Sequence, residues 1–145
     1  MYDRVLLPTD GSDAMVTVVD HAVRLAAHHG ATLHALYVAN TASLSHLPAE
    51  AGWENVTEAL HSEGESALAA VESRADDHDV PVESETLEGS PAREILEYAE
   101  AANCDVVVMG THGRTGVDRL LLGSVAERVV RSSPVPVVTI RVTEE

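Results

Sequence analysis

The sequence predicts an α/β fold: one domain over residues 1–145, built on a five-stranded parallel sheet with helices on both faces. Three observations carry this expectation. Short apolar, β-branched runs alternate with longer stretches of helical period along the whole chain, five of the first and four of the second. One run, "CDVVVMG" at 104–110, is continuously apolar, as in a strand covered on both faces. No internal repeat, low-complexity tract or linker divides the 145 residues, a length that supports one core.

The elements follow in order. "YDRVLLPTD" is a short β-type segment ended by Pro8, and "GSDAMVTVVDHAVRLAAHHG" is a helix with Ser12 as its cap and Gly30 as its stop. Its inner face is expected to carry Val16, Val19, Val23 and Ala26, and its outer face Asp13, Thr17, Asp20, His21, Arg24 and His28. "ATLHALYV" is the second strand, and "ANTASLSHLPAEAG" a polar connection. A long acidic helix then runs from about Trp53 to Asp77, burying Val56, Leu60, Ala67, Val71 and Ala75.

"VPVESETLEG" supplies the third strand. "SPAREILEYAEAAN" is the third helix, with Ser90 at the N-cap and Pro91 in the first turn. After the fourth strand, "MGTHGRTGVDRLLLGS" leads into a helix from Ser124 to about Ser132, and "VPVVTIRV" is the last strand. Successive right-handed crossovers give a parallel sheet, and an order 3-2-1-4-5 sets "PTDGS" beside "MGTHG" where the strand order reverses. Ligands of such sheets bind at that reversal, beyond the carboxyl ends of the strands.

Composition excludes several chemistries. All nine basic residues are Arg, so P-loop lysines, Schiff bases and kinase-type lysines are absent. The net charge of -15 is concentrated in residues 50 to 100, where fifteen acids face Arg74 and Arg93; a nucleic-acid partner is not expected. Acid excess without Lys or Phe points to a salt-rich cytosol of the kind halophilic archaea maintain, with an ordinary acidic protein as the alternative. No apolar stretch is long enough for a membrane span and no signal-peptide pattern follows Met1, so a cytoplasmic location is expected. Cys104 stands alone and reads as a packing residue, and the scattered histidines have no metal-ligand spacing.

From 110 onward the charge balance turns slightly basic, and this is where an anion can approach. Gly110 and Gly113 follow the fourth strand, where a tight turn brings backbone N–H groups close to a ligand. Gly123 and Ser124 open a helix, whose unpaired N–H groups and dipole favour negative charge. Ser124 and Glu127 also fit a capping box, which needs no ligand. Walker-type and G-x-G-x-x-G spacings are both missing.

The spacing that is present, G-x2-G-x9-G-[ST] from Gly110 through Gly113 to Gly123 and Ser124, resembles the ATP-binding signature of the universal stress protein family. "VLLPTDGS", "LHALYV" and "DVVVMGTHGRTGVDRLLLGSVAERVVRSSPVPVVTI" extend the resemblance over nearly the whole chain. It implies a Rossmann-like fold of the adenine nucleotide alpha hydrolase type. It further implies that ATP or another adenine nucleotide binds, with Mg2+ or Mn2+. Pro8, Thr9, Asp10 and Val38 would form the nucleoside side, and Met109, Gly110, His112, Gly113, Arg114, Gly123, Ser124 and Val125 the phosphate side. Ala126 stands where many ATP-binding relatives carry a hydroxyl residue.

Asp10 would accept from ribose hydroxyls or help hold a phosphate-bound ion; alternatively it caps the first helix. Arg114 suits direct phosphate contact, while His112 lacks the partners of a catalytic triad. The resemblance also implies a homodimer through the C-terminal strand, which would cover a sheet edge, and a further protein partner. The expected role is a nucleotide-dependent regulatory or stress-response module without catalytic residues. A slow metal-dependent ATP hydrolase or nucleotidyl transferase, and a nucleotide-independent interaction protein, are the alternatives.

Overall fold

Among the described residues five strands and four helices alternate: β1 (Arg4–Pro8), α1 (Met15–His29), β2 (Thr32–Ala39), α2 (Trp53–Asp76), β3 (Val82–Glu88), α3 (Pro91–Ala101), β4 (Val106–Gly110), α4 (Ser124–Ser132) and β5 (Val137–Ile140). The computed structural model describes residues 1–42, 52–112 and 122–142. All strand pairs are parallel and the order is β3-β2-β1-β4-β5. The chain therefore runs outward through α1 and α2, then crosses back through α3 and returns outward through α4. With crossovers of one hand, that change of direction sets the two helix pairs on opposite faces.

Two cores result. Val5, Leu7, Leu33, Ala35, Tyr37, Val106 and Val108 point to one face, against Val18, Val19, Val23 and Val71 of α1 and α2. Leu6, Leu36, Val107 and Met109 point to the other, against Ile95, Ala99, Ala126 and Val129 of α3 and α4. Strand β4 is buried at every position, as its unbroken apolar run demands.

Helix α1 departs from the sequence expectation at its start. Ser12 does not cap it: the first helical residue is Met15, with Ala14 at the N-cap and no side-chain cap bond. The Ser12 N–H is taken by Asp10 Oδ1 at 2.9 Å, and the Ser12 carbonyl accepts the Met15 N–H at 3.0 Å. An Asx-type turn has displaced the cap. With Met15 inward, the buried positions become Met15, Val18, Val19, Ala22, Val23 and Ala26, and Val16 turns outward to 64% exposure. The other end is as expected, since Gly30 takes a left-handed conformation (φ 67°) while Ala31 N–H reaches Ala26 O at 2.8 Å.

Helix α2 buries Ala67, Leu68, Val71 and Ala75, but Val56 and Leu60 remain only partly covered. Its grip on the sheet begins at Gly64. Helix α3 starts as expected, with Ser90 extended at the N-cap and Pro91 first in the helix. The acids of α2 and β3, including Glu54, Glu58, Glu72, Asp76, Glu83 and Glu85, are exposed, which fits a hydrated acidic face.

One polar pair lies inside the second core. His34 is buried on β2, its Nδ1 2.9 Å from the Tyr98 hydroxyl, its Nε2 3.7 Å from the exposed Glu83 carboxylate. Burial depresses the His34 pKa below its ordinary 6.5; Glu83 opposes this and Arg4 adds to it. As pH falls through 6.5, the unfolded chain takes up this proton before the folded one, so stability present above that pH is lost below it. Urea unfolding at pH 7.5 and 5 should therefore show a loss at the lower pH that shrinks in His34→Gln; an unchanged loss would contradict this reading. Asp105, whose carboxyl is held low by backbone N–H bonds, stays ionised through that window.

Candidate functional site

The two ends of the β1/β4 seam are built differently. At the amino end Asp105 closes it: its N–H donates to Arg4 O at 2.8 Å, and its Oδ2 accepts the Asp3 and Arg4 N–H groups at 2.7 and 2.8 Å. Toward the carboxyl end the ladder stops at Val5↔Val106 and Leu6↔Val107. Beyond it β1 stays with β2, through Pro8↔Leu36 and Thr9 N–H to Leu36 O at 2.9 Å. Strand β4 stays with β5, through Gly110↔Ile140 and Thr111 N–H to Ile140 O at 2.9 Å. The sheet thus divides at the point where its strand order reverses, where α/β sheets hold ligands.

On the β1 side, Pro8 and Asp10 are partly exposed and Thr9 is buried. The loop holds itself: Thr9 Oγ1 accepts the Gly11 N–H at 3.1 Å and Asp10 Oδ1 the Ser12 N–H at 2.9 Å. The capping alternative for Asp10 is therefore not realised: its carboxylate closes a turn on Ser12, ahead of the helix. Gly11 has φ 76°, a left-handed conformation that suits glycine, and a Cβ there would lie 3.1 Å from Ala67 Cβ of α2. Val38, near the end of β2, is partly exposed and shares the second core's face with Met109.

On the β4 side, Met109 and Gly110 are buried. A Cβ at Gly110 would meet Val142 Cγ2 at 2.8 Å and Val18 Cγ2 at 3.3 Å, so this glycine is required by packing between α1 and the segment just after the last strand. His112 Nδ1 lies 3.1 Å from Thr111 Oγ1, and His112 Nε2 is buried without a hydrogen bond among the described residues. Gly113 and Arg114 lie outside the described residues.

At the return of the chain, Gly123 donates its N–H to Thr111 O at 2.7 Å, so that group serves the fold. Gly123, extended at φ -63° and ψ 157°, is the N-cap of α4, which makes Ser124 the first helical residue. The Ser124–Glu127 capping box is consequently not formed: no side chain caps the helix, and Glu127 pairs with Arg131 one turn on. A hydroxyl already inside the helix cannot cap its start. The Glu127 N–H reaches Gly123 O at 2.9 Å, and among the described residues the N–H groups of Ser124, Val125 and Ala126 have no backbone acceptor, an open first turn. Ser124 is exposed and Val125 partly so, while Ala126 is buried in the second core.

Thr111, not singled out by motif spacing, links these parts. Its hydroxyl also receives the Val142 N–H at 3.1 Å. A hydroxyl residue directly after Gly110, at the end of a buried strand, is the sequence signal that marks it. Cys104 is buried and its thiol is pushed up to about 11 by desolvation, which removes it from nucleophilic roles. Among the described residues no group of three metal-ligating side chains converges, and no helix is long and apolar enough to cross a membrane.

Comparison with known proteins agrees with this architecture. A universal stress protein of Methanocaldococcus jannaschii is 43% identical over 141 residues, covering 97% of this chain and 83% of the relative. A second protein of that organism, also a universal stress protein, has a solved structure that superposes with a TM-score of 0.86 at 26% identity, covering 100% of this chain and 99% of that one. A universal stress protein crystallised in complex with cAMP superposes with a TM-score of 0.75 at 26% identity, covering 98% and 99%. The universal stress protein family model matches residues 1–141, and the chain belongs to that family.

Proposed function

We propose that this protein is an adenine-nucleotide-binding module of the ATP-binding branch, a homodimer through β5 that signals nucleotide state to a protein partner in the cytoplasm. The observation that carries the reading is the divided β1/β4 seam with the open first turn of α4 following from its β4 side. Three N–H groups and a positive helix end suit phosphate oxygens. Asp10, Thr9 and Val38 supply the carboxylate, hydroxyl and apolar surface that a nucleoside needs, at the ends of the neighbouring strands. The relative solved with cAMP supports an adenine nucleotide as the ligand class.

ATP would be held by Pro8, Thr9, Asp10 and Val38 on the nucleoside side. On the phosphate side would stand Met109, Gly110, His112, Gly113, Arg114, Gly123, Ser124 and Val125, with Gly110 and Gly123 shaping the backbone. Bound Mg2+ or Mn2+ would neutralise phosphate charge, with Asp10 as the carboxylate nearest in role. Ala126 gives its place in the phosphate-side turn to core packing, so it offers only its N–H.

The direct test is to denature freshly purified protein, identify the released nucleotide, and titrate ATP, ADP and cAMP into the stripped protein at high salt. The expected result is an adenine nucleotide in the extract and saturable binding lost in Asp10→Ala. Absence of both would overturn the proposal. Steady ATP turnover abolished by Asp10→Ala would move the protein to the hydrolase class.

A further inference from the structure

Thr111 makes four hydrogen bonds that join three parts of the fold. Its N–H donates to Ile140 O (2.9 Å), its carbonyl accepts the Gly123 N–H (2.7 Å), and its hydroxyl accepts the Val142 N–H (3.1 Å) while lying 3.1 Å from His112 Nδ1. The two ends of the glycine segment and the strand after it therefore meet on one residue.

The hydroxyl decides how His112 is protonated. A threonine hydroxyl has one O–H to give and two lone pairs to receive. With one lone pair filled by Val142, two arrangements with His112 remain. If the hydroxyl donates to Nδ1, both its hydrogen and the Nδ1 lone pair are satisfied, and the ring proton of neutral His112 sits on Nε2. If instead Nδ1–H donates to the hydroxyl, the hydroxyl hydrogen has no acceptor among the described residues, and the buried Nε2 lone pair has no donor. The first arrangement leaves only the buried Nε2–H without a partner, whereas the second leaves the buried Nε2 lone pair and also the hydroxyl hydrogen of the part-buried Thr111, and unpaired polar groups are costly.

We infer that Thr111 is a positioning residue: it ties the root of the glycine segment to the last strand and fixes His112 as the Nε2–H tautomer, a donor. The consequence for ligand binding rests on the nucleotide reading above. An Nε2–H attracts a phosphate oxygen, whereas an Nε2 lone pair at the same place repels it, so Thr111 sets the sign of this contact without touching the ligand.

Two variants and two measurements test the inference. Thr111→Val keeps the β-branched shape and the two backbone bonds, and Thr111→Ser keeps the hydroxyl. In 15N NMR of His-labelled protein above neutral pH, wild type and Thr111→Ser should show His112 with a pyrrole-type Nε2 and a pyridine-type Nδ1. Thr111→Val should show mixed tautomers and faster hydrogen exchange at the Val142 amide. ATP titration should give about fivefold weaker binding for Thr111→Val, the worth of one hydrogen bond, with recovery in Thr111→Ser. A wild-type spectrum with the proton on Nδ1, or an unaltered tautomer in Thr111→Val, overturns the inference. Mixed tautomers with unchanged ATP affinity overturn its ligand half. Wild type that binds no ATP overturns the nucleotide reading instead, and the tautomer spectra still decide the assignment of Thr111.

Discussion

Gly110→Ala is expected to destabilise the protein by about 1–3 kcal/mol in urea unfolding with no nucleotide present, the usual cost of forcing an extra methyl into a filled core. The new Cβ would sit 2.8 Å from Val142 Cγ2, with Val18 Cγ2 and His112 O both at 3.3 Å. Val18 is wholly buried in α1 and cannot retreat, and Val142 is held by its N–H bond to Thr111. The phosphate reading of the motif makes a different prediction, a normally stable protein that has lost affinity. The pairing of Gly110→Ala with Val142→Ala separates the two, because removing the opposed methyls should recover part of the lost stability. Wild-type stability in Gly110→Ala alone, or no recovery in the double variant, would refute the packing role.

This result bears on how much of the molecule the sequence discloses. Patterns that depend on one element were readable: the unbroken apolar run of β4, the alternation that gives the parallel sheet, Gly30 ending α1 and Pro91 opening α3. Features decided by competition between elements were not. Ser12 has the right chemistry for a cap, but Asp10 captures its N–H and the helix starts later, turning Val16 outward. Ser124 and Glu127 have capping-box spacing, but Gly123 already occupies the cap position and bonds back to Thr111. Spacing cannot rank such rivals, since each is locally sound and tertiary contacts choose between them.

The candidate site shows the same division. The meeting of "PTDGS" and "MGTHG" follows from topology alone, and the structure brings Pro8–Asp10 and Met109–His112 to the ends of neighbouring strands. What each glycine and hydroxyl does there depends on partners distant in sequence: Val142 for Gly110, and Ile140, Val142 and Gly123 for Thr111.

Thr139→Pro is expected to convert the proposed dimer to a folded monomer, and the ladder shows why that position is the informative one. The carbonyls of Pro136 and Ile140 accept the N–H groups of Val107 in β4 and of Thr111 just after it. Neighbouring residues of a parallel strand bond in opposite directions, so the Thr139 N–H faces the free edge and proline spares the ladder. The two sheet edges are unlike: β3 carries exposed Glu83 and Glu85, which discourage pairing, whereas β5 carries no acid and presents Val138 at 37% exposure. In a two-fold pairing each substitution acts twice and strands two acceptors, at about 1–3 kcal/mol each. The dimer dissociation constant should then rise by roughly one to four orders of magnitude, since 1.4 kcal/mol is tenfold. Sedimentation should show the monomer at concentrations where wild type is dimeric, with circular dichroism unchanged. A variant that dimerises like wild type, or a monomeric wild type, would refute pairing through β5.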